Sequence, residues 1–364
     1  MKKINVMVLF GGKSGEHEVS LMSAASILRA INKEKYNIIP VGITKDGTWK
    51  KCNTTINEIE SGEWEGITNK LLGDDGIDSQ VSLIPKDSSG RSIVLGDSIE
   101  NVDVVFPALH GPYGEDGTIQ GLLEIMNIPY VGAGVLASAL AMDKAIAKTI
   151  FKAENIPQAD FEVIYRKKYK QNPIGEIEAI EARINYPVFV KPANLGSSVG
   201  ISKAKNREQL IAAMEIAAQY DRKIVIEESI NAREIECSVL GNDDPIASLP
   251  AEIIPSHEFY DYQDKYFDGT TQFIIPADLP EEMIAEVRKL AVRVYKLIDC
   301  NGLARVDFFV EKDTNKILIN EINTMPGFTK ISMYPKMWEA TGISYEELIN
   351  RLIDLAIERF NERN

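Results

Sequence analysis

The stretch RVDFFVEKDTNKILINEINTMPGFTK, residues 305–330, decides the fold of the carboxyl-terminal part of the chain. Two apolar runs flank a short polar turn at residues 313–315, and this pattern predicts a β-hairpin. Centring the register on that turn predicts three facing pairs: Arg305 with Asn323, Asp307 with Glu321, and Phe309 with Ile319. The Thr-Met-Pro-Gly turn at residues 324–327 then ends the second strand, because proline cannot donate a ladder hydrogen bond.

Side chains alternate between the two faces of such a hairpin. One face carries the polar residues Arg305, Asp307, Glu321 and Asn323. The other face is predicted to form a core from Val306, Phe308, Val310, Leu318 and Ile322. Facing carboxylates destabilise a sheet unless a cation lies between them, and two carboxylates with an amide oxygen suit Mg²⁺, which keeps positions open for phosphate. The alternative is a solvated face with an Asp–Arg contact.

The composition is that of an ordinary globular protein, with 364 residues, of which 45% are hydrophobic and 26% charged. The apolar run in MKKINVMVLFGG is too short for a membrane span and ends in a glycine turn, which predicts a buried strand. The net charge of −14 argues against nucleic acid as the main partner. The three cysteines lie near no histidine pair, so neither a disulfide framework nor a zinc site is expected. We expect a cytoplasmic protein with no membrane partner.

Strand and helix patterns alternate through the first part of the chain and predict an α/β layer with a parallel sheet. Further strands surround the helix pattern REQLIAAMEIAAQY, which predicts an α+β lobe. The predicted divisions are an N-terminal α/β domain at 1–140, a central lobe at 141–232, and a C-terminal lobe at 233–364 that carries the metal and substrate site. The aromatic segment at 256–273 has no periodicity and is predicted to be a functional lid.

The segment PVFVKPANLGSSVGIS, residues 187–202, has the pattern of a strand, a glycine-serine loop and a second strand. Lys191 precedes the loop, and small residues from Gly196 to Gly200 allow backbone N–H groups to approach a phosphate closely. Glycine-serine hairpins are common, and this one is not a P-loop, because its lysine precedes the loop and no helix follows.

Several other residues are candidates with a structural alternative. Glu227, Glu228 and Glu234 could accept hydrogen bonds from adenine or ribose, although a solvated edge is the simpler interpretation of that segment alone. Glu16 lies at a helix start, where acids are favourable in any case. His110 follows a strand, at the kind of edge where α/β sheets bind ligands.

Together these segments resemble the D-alanine–D-alanine ligases of the ATP-grasp superfamily. The resemblance covers nearly the whole chain, through GGKSGEHEVS, HGPYGEDG, AMDKAIAK, VFVKPANLGSSVGIS, FYDYQDKY, GLARVDFFV and NEINTMPGFTKISMYP. It implies a three-lobed ATP-grasp fold and ATP-dependent ligation of two D-alanines through a D-alanyl phosphate, for peptidoglycan precursor synthesis. One departure is EESI at residues 227–230, where many relatives have a lysine–aromatic pair.

The resemblance also implies roles for individual residues. The implied ATP-binding residues are Lys144, Lys191, Ser197, Ser198, Glu227, Glu228, Ser229, Ile230, Glu234, Lys265, Phe309, Asn320 and Glu321. The implied ligands of two Mg²⁺ or Mn²⁺ ions are Asp307, Glu321 and Asn323. The implied substrate-binding residues are Glu16, His110, Lys265, Tyr266, Arg305, Gly327, Ser332 and Met333. The implied catalytic residues are Glu16, Ser197, Tyr266, Arg305 and Gly327.

Within these sets, the resemblance places Glu16 at the ammonium of the first D-alanine, and Arg305 with the Gly327 N–H at an oxyanion site. It places Lys265 and Tyr266 on the lid, and the tyrosine points to a dipeptide product and not to a D-lactate ester. It also implies a homodimer. The competing hypotheses are a ligase for D-lactate or D-serine, a carboxylase that uses bicarbonate, and a nucleotide-binding regulator without turnover.

Overall fold

The computed structural model describes residues 3–71, 81–82, 92–95, 98–255 and 271–363. The predicted lid residues Lys265 and Tyr266 lie outside the described residues. Within the described ranges, no helix combines the length and the apolar character that a bilayer crossing requires.

The first region of the fold is an α/β layer. Its described elements are β1 (Ile4–Gly11), α1 (His17–Ala30), β2 (Tyr36–Ile43), β3 (Trp49–Lys51), α2 (Ile56–Ser61), α3 (Trp64–Leu71), β4 (Val81–Ser82), β5 (Ser92–Leu95), β6 (Ser98–Asn101), β7 (Val104–Pro107) and α4 (Thr118–Ile125). The main sheet has the order β3-β2-β1-β7, with β1 parallel to β2 and β7. This parallel pairing was predicted, because strands buried on both faces have continuous apolar sequences.

The second region is an antiparallel sheet with helices. Its elements are α5 (Val135–Met142), α6 (Lys144–Ala153), β8 (Phe161–Tyr165), α7 (Arg166–Gln171), α8 (Pro173–Glu181), β9 (Val188–Pro192), β10 (Ser202–Ala204), α9 (Arg207–Tyr220) and β11 (Lys223–Glu228). The sheet order is β10-β9-β11-β8. Helix α9 has the predicted limits and is capped by Asn206, whose side chain accepts a 3.0 Å hydrogen bond from the Gln209 N–H.

The third region is a larger antiparallel sheet. Its described elements are β12 (Ala232–Gly241), β13 (Ile246–Ala247), β14 (Ala251–Ile254), β15 (Gln272–Ile274), α10 (Glu281–Leu297), β16 (Gly302–Glu311), β17 (Ile317–Asn323), α11 (Met333–Ala340) and α12 (Tyr345–Arg363). The strand order is β15-β14-β12-β16-β17. Helix α11 was not predicted, because Pro335 lies within it; proline is tolerated in the first turn of a helix.

The hairpin of β16 and β17 has the predicted register in the part that carries charge. Arg305 faces Asn323, and Asp307 faces Glu321. Because facing residues share a side of the sheet, these four polar side chains project from the same face. The predicted pairing of these four residues is therefore confirmed, while the metal site itself stays a prediction.

The other half of the hairpin differs from the prediction. The pairing shifts after Asp307, so that Phe308 faces Ile319 and Phe309 faces Leu318. The predicted pair of Phe309 with Ile319 is wrong, and so is the placement of Leu318 on the core face. The cause is one extra residue, Asn320, in the second strand, which forms a β-bulge.

Two of the hydrophobic cores join distant parts of the chain. One packs the first sheet against the C-terminal helices, with Val6 and Phe10 in the same cluster as Trp338 and Leu352. Another packs α10 against the third sheet, and a separate core underlies the second sheet. These cores hold the first and third sheets against each other, while the predicted lobe boundaries at 140 and 232 stay a prediction.

All three cysteines are buried and free. Burial raises the pKa of the Cys237 and Cys300 thiols to about 12, and it also raises the pKa of Cys52. Because the thiolate is the reactive form, we expect no rapid alkylation of native protein by iodoacetamide at about pH 8. Three alkylated cysteines per chain are expected after denaturation, by mass spectrometry. A cysteine that reacts quickly in the native protein would contradict this.

Candidate active site

A cavity of about 860 Å³ opens between the three regions of the fold. The predicted site residues that line it are Glu16, His110, Lys144, Ser197, Arg305, Glu321, Asn323, Gly327, Ser332 and Met333. These residues come from segments more than 300 positions apart, and the fold brings them together around one space. Such a concave space with several convergent polar groups is typical of a small-molecule site.

Arg305 lies between two carboxylates in the wall of this cavity. Its Nε and Nη2 donate to the two carboxylate oxygens of Asp307, both at 2.7 Å, and its Nε lies 3.2 Å from Glu236 Oε2. Burial alone would lower the pKa of Arg305, but the charges of Asp307 and Glu236 outweigh it, and the net pKa lies well above its usual value. The guanidinium is therefore a permanent positive charge at this wall.

The predicted metal ligands form a set of hard oxygen donors. Asp307 and Glu321 are cross-strand neighbours, and Asn323 Oδ1 already accepts a 3.0 Å hydrogen bond from the Met325 N–H. Among the described residues, no group of three or more His, Cys, Asp or Glu side chains could hold a metal by itself. Two carboxylates and an amide fit an ion that takes only a few protein ligands and completes its octahedron with water and phosphate oxygens.

Lys148, Lys191 and Glu227 form a buried charge cluster beside this face, with Lys144 nearby. Lys148 Nζ lies 2.5 Å from Glu227 Oε1, and Lys191 Nζ contacts the other oxygen of the same carboxylate. Lys144 Nζ donates to the Leu195 carbonyl at 2.7 Å and lies 3.8 Å from Glu321 Oε2. Glu227 and Lys148 are 2% and 3% exposed, so a solvated edge is excluded for Glu227. Burial and the neighbouring Lys191 hold the pKa of Lys148 well below its usual value.

The glycine-serine loop contacts the first region through Glu16. The Ser197 hydroxyl donates to Glu16 Oε1, and a side chain at Gly196 would approach Glu16 Oε2 to 3.1 Å. Ser197 and Ser198 have φ angles of 49° and 58° in the left-handed region, which non-glycine residues adopt at an energetic cost. Glu16 and the loop therefore lie side by side in the cavity wall.

His110 is buried and links three segments. Its Nε2 lies 2.9 Å from Ser23 Oγ, its Nδ1 lies 3.1 Å from the Met325 carbonyl oxygen, and Glu115 Oε1 lies 3.5 Å from Nδ1. Burial alone would lower the pKa of His110, but Glu115 outweighs it and the net pKa is raised. The histidine thus fixes the turn after β17 to the first region.

The turn that contains Gly327 is held by hydroxyl groups. The Thr329 N–H donates to Ser332 Oγ at 3.0 Å, and the Phe328 N–H approaches Ser23 Oγ at 3.3 Å. A Cβ at Gly327 would lie 3.0 Å from Ser332 Oγ, which leaves little space for a side chain. The backbone around Gly327 is therefore fixed at the cavity.

The remaining residues predicted to bind the nucleotide lie around the polar face of the β16–β17 hairpin. On the third sheet Glu234 faces Phe309, and this pair forms the row next to Glu236 and Asp307. Asn320 is the bulged residue of β17. At the end of β11, Glu228 is exposed, while Ser229 and Ile230 are half-buried.

Two family profiles match this chain. The profile "D-ala D-ala ligase N-terminus" matches residues 5–133, and "D-ala D-ala ligase C-terminus" matches residues 150–354. The chain belongs to the D-Ala D-Ala ligase family. Members of this family are ADP-forming ligases that use ATP and a divalent metal ion, and the oxygen donors of β16 and β17 fit such an ion.

Individual members of the D-Ala D-Ala ligase family resemble the chain over its full length. A D-alanine–D-alanine ligase of Acetivibrio thermocellus is 55% identical, and the match covers 99% of this chain and 97% of the relative. The solved D-alanine-D-alanine ligase of Coxiella burnetii is 36% identical, with a TM-score of 0.86 over 100% of this chain and 96% of that one. The VanG D-Ala:D-Ser ligase of Enterococcus faecalis is also 36% identical, with a TM-score of 0.86 over 98% and 100%.

Three side chains of this D-Ala D-Ala ligase site were not predicted. Lys148 lies one helical turn after Lys144, and an i, i+4 pair at a helix start could have indicated it. Glu236 lies two residues after Glu234 and so shares its face of β12, which is a signal that the strand pattern contains. Glu115 follows its partner His110 within the motif HGPYGEDG, but loop spacing does not predict side-chain direction.

Proposed function

We propose that the protein joins two D-alanines into D-alanyl-D-alanine in the cytoplasm, with ATP converted to ADP and phosphate, for peptidoglycan precursor synthesis. The observation that carries the proposal is the convergence of Glu16, Arg305 and the Gly327 turn on one cavity beside a face of oxygen donors. The full-length similarity to D-alanine–D-alanine ligases supports the choice of substrate.

The first step activates the carboxylate of the first D-alanine. A carboxylate is a poor electrophile, because attack adds negative charge to an anion. One carboxylate oxygen attacks the γ-phosphorus of ATP, and the bond between this phosphorus and the β–γ bridging oxygen breaks. ADP departs, and the product of the step is D-alanyl phosphate. In this step Lys144 and Lys191 neutralise phosphate charge and Glu16 binds the ammonium of the D-alanine, since phosphoryl transfer depends mainly on positioning and charge.

The second step forms the peptide bond. The free amine of the second D-alanine attacks the acyl carbon, loses a proton, and phosphate leaves with the electrons of the broken C–O bond. The tetrahedral oxyanion lies against Arg305 and the Gly327 N–H, and Ser332 and Met333 contact the second D-alanine. A water-excluding lid with Lys265 and Tyr266 prevents hydrolysis of the acyl phosphate.

The other assignments follow the same proposal. Asp307, Glu321 and Asn323 bind two Mg²⁺ or Mn²⁺ ions, which balance the phosphate charge. The nucleotide is held by Ser197, Ser198, Glu227, Glu228, Ser229, Ile230, Glu234, Phe309 and Asn320. His110 acts on the substrate side, because it orders the turn before Gly327. The three-lobe division at 140 and 232 and a homodimer complete the proposal.

The test measures phosphate release with D-alanine and identifies the product by mass spectrometry. We expect release to require D-alanine and the product to be D-alanyl-D-alanine. D-Serine in the second position is expected to be used about 10- to 100-fold less well, since a pocket rejects an added hydroxyl only weakly. If the enzyme prefers D-serine or D-lactate, the proposal that D-alanine is the second substrate is wrong. ATP hydrolysis that responds to bicarbonate and not to D-alanine would overturn the proposal altogether.

A further inference from the structure

Arg305 and Asp307 pair with each other in the structure, and the proposed function requires each of them to bind a further group. Asp307 is to bind a metal ion, and Arg305 is to meet an oxyanion, but in the structure both Asp307 oxygens accept from Arg305 at 2.7 Å. A divalent cation at Asp307 would lie within a few ångströms of the guanidinium, and like charges at that distance repel strongly in a buried site. Metal binding at Asp307 therefore requires Arg305 to withdraw from this carboxylate.

Glu236 provides the place to which Arg305 can move. It faces Asp307 directly across β12 and β16, is 6% exposed, and its Oε2 already lies 3.2 Å from Arg305 Nε. A buried guanidinium that loses one carboxylate is costly to leave unpaired, whereas a second carboxylate within reach removes most of that cost. Arg305 can thus exchange acids by a small rotation of its side chain.

We propose that Glu236 is a positioning residue that takes over the Nε of Arg305 when Asp307 binds the metal. The proposal rests on the proposed function and adds a specific step to it. Transfer to Glu236 frees Asp307 for the ion and leaves the Nη groups of Arg305 available to the oxyanion. Metal loading and formation of the oxyanion site are then one coupled event.

A double-mutant cycle on metal binding tests this exchange. Free Mn²⁺ is measured by electron paramagnetic resonance, with a saturating non-hydrolysable ATP analogue, in the wild type, Glu236→Gln, Arg305→Met and the double variant. Glu236→Gln is expected to weaken Mn²⁺ binding about 10-fold, the lower end of the range for residues that orient metal ligands. In the Arg305→Met background the same change should alter affinity by less than about twofold, because no guanidinium then competes for Asp307.

The cycle separates the exchange from a simple loss of negative charge. If Glu236 attracts the ion only through space, Glu236→Gln weakens binding equally in both backgrounds, and the proposal is overturned. Unchanged Mn²⁺ affinity of Glu236→Gln overturns it as well. Glu252→Gln is the matched control, since Glu252 is a buried acid that pairs with Arg233 on the opposite face of the sheet. Phosphate release by the wild type with D-alanine is measured in parallel, so a failure of the proposed function is distinguished from a failure of the exchange.

Discussion

Replacing Arg305 with methionine is expected to lower kcat for D-alanyl-D-alanine formation about 100- to 1,000-fold, the loss typical of one missing oxyanion donor. The reason is geometric: Arg305 is fixed in the cavity wall by Asp307 and Glu236 and remains charged at every accessible pH. In the proposed reaction, metal binding at Asp307 releases the Nη donors of Arg305, and they are then in place before charge develops on the reacting carbonyl. Quantifying D-alanyl-D-alanine by mass spectrometry measures the loss directly.

The first half of the reaction should survive this change better than the second. Exchange of the β–γ bridging oxygen of ATP reports acyl phosphate formation without peptide bond formation, and we expect it to fall much less than kcat. Arg305→Lys should also be defective, because lysine keeps the charge but loses the two-pronged geometry. Arg233→Met, which breaks a comparable Arg–Glu pair on the other face, is the control for stability. Equal loss in both half-reactions would contradict the oxyanion role.

Glu227→Gln is expected to reduce the free energy of unfolding by about 3–5 kcal/mol, the cost of leaving a buried charge without its partner. In the wild type, the Glu227 carboxylate lies 2.5 Å from Lys148 Nζ and also contacts Lys191 Nζ. Glu227 is only 2% exposed. Its loss removes the negative charge that both lysines contact, in a site with little water to solvate them. Urea denaturation monitored by tryptophan fluorescence measures the change, and an ATP analogue should restore part of it, since phosphate supplies the missing negative charge.

The neighbouring residue provides the control for this prediction. Glu228 is exposed, and Glu228→Gln should change the free energy of unfolding by less than about 0.5 kcal/mol. The double variant Glu227→Gln with Lys148→Met removes one of the two buried lysines that contact this carboxylate and should recover part of the lost stability. If Glu227→Gln is as stable as the wild type, the buried cluster does not depend on this charge.

The sequence by itself determined the features that depend on local periodicity. Alternation along RVDFFV and LINEIN placed Arg305 and Asp307 on one face, because the direction of side chains along a strand repeats every two residues. Helix α9 could be predicted with its limits, since an Asn cap precedes a long helical pattern. The resemblance carried by the ordered motifs gave the family, which the profile matches confirmed.

Only the tertiary structure decided which charges meet. The bulge at Asn320 shifted Phe309 from Ile319 to Leu318, because one extra residue in a strand reverses the facing of everything beyond it. Lys148 and Glu236 became site residues through contacts between segments far apart in sequence, and no local pattern encodes such distances. Periodicity sets the direction of a side chain from its own strand or helix. Its partners depend on how separate elements pack, which is a property of the whole chain.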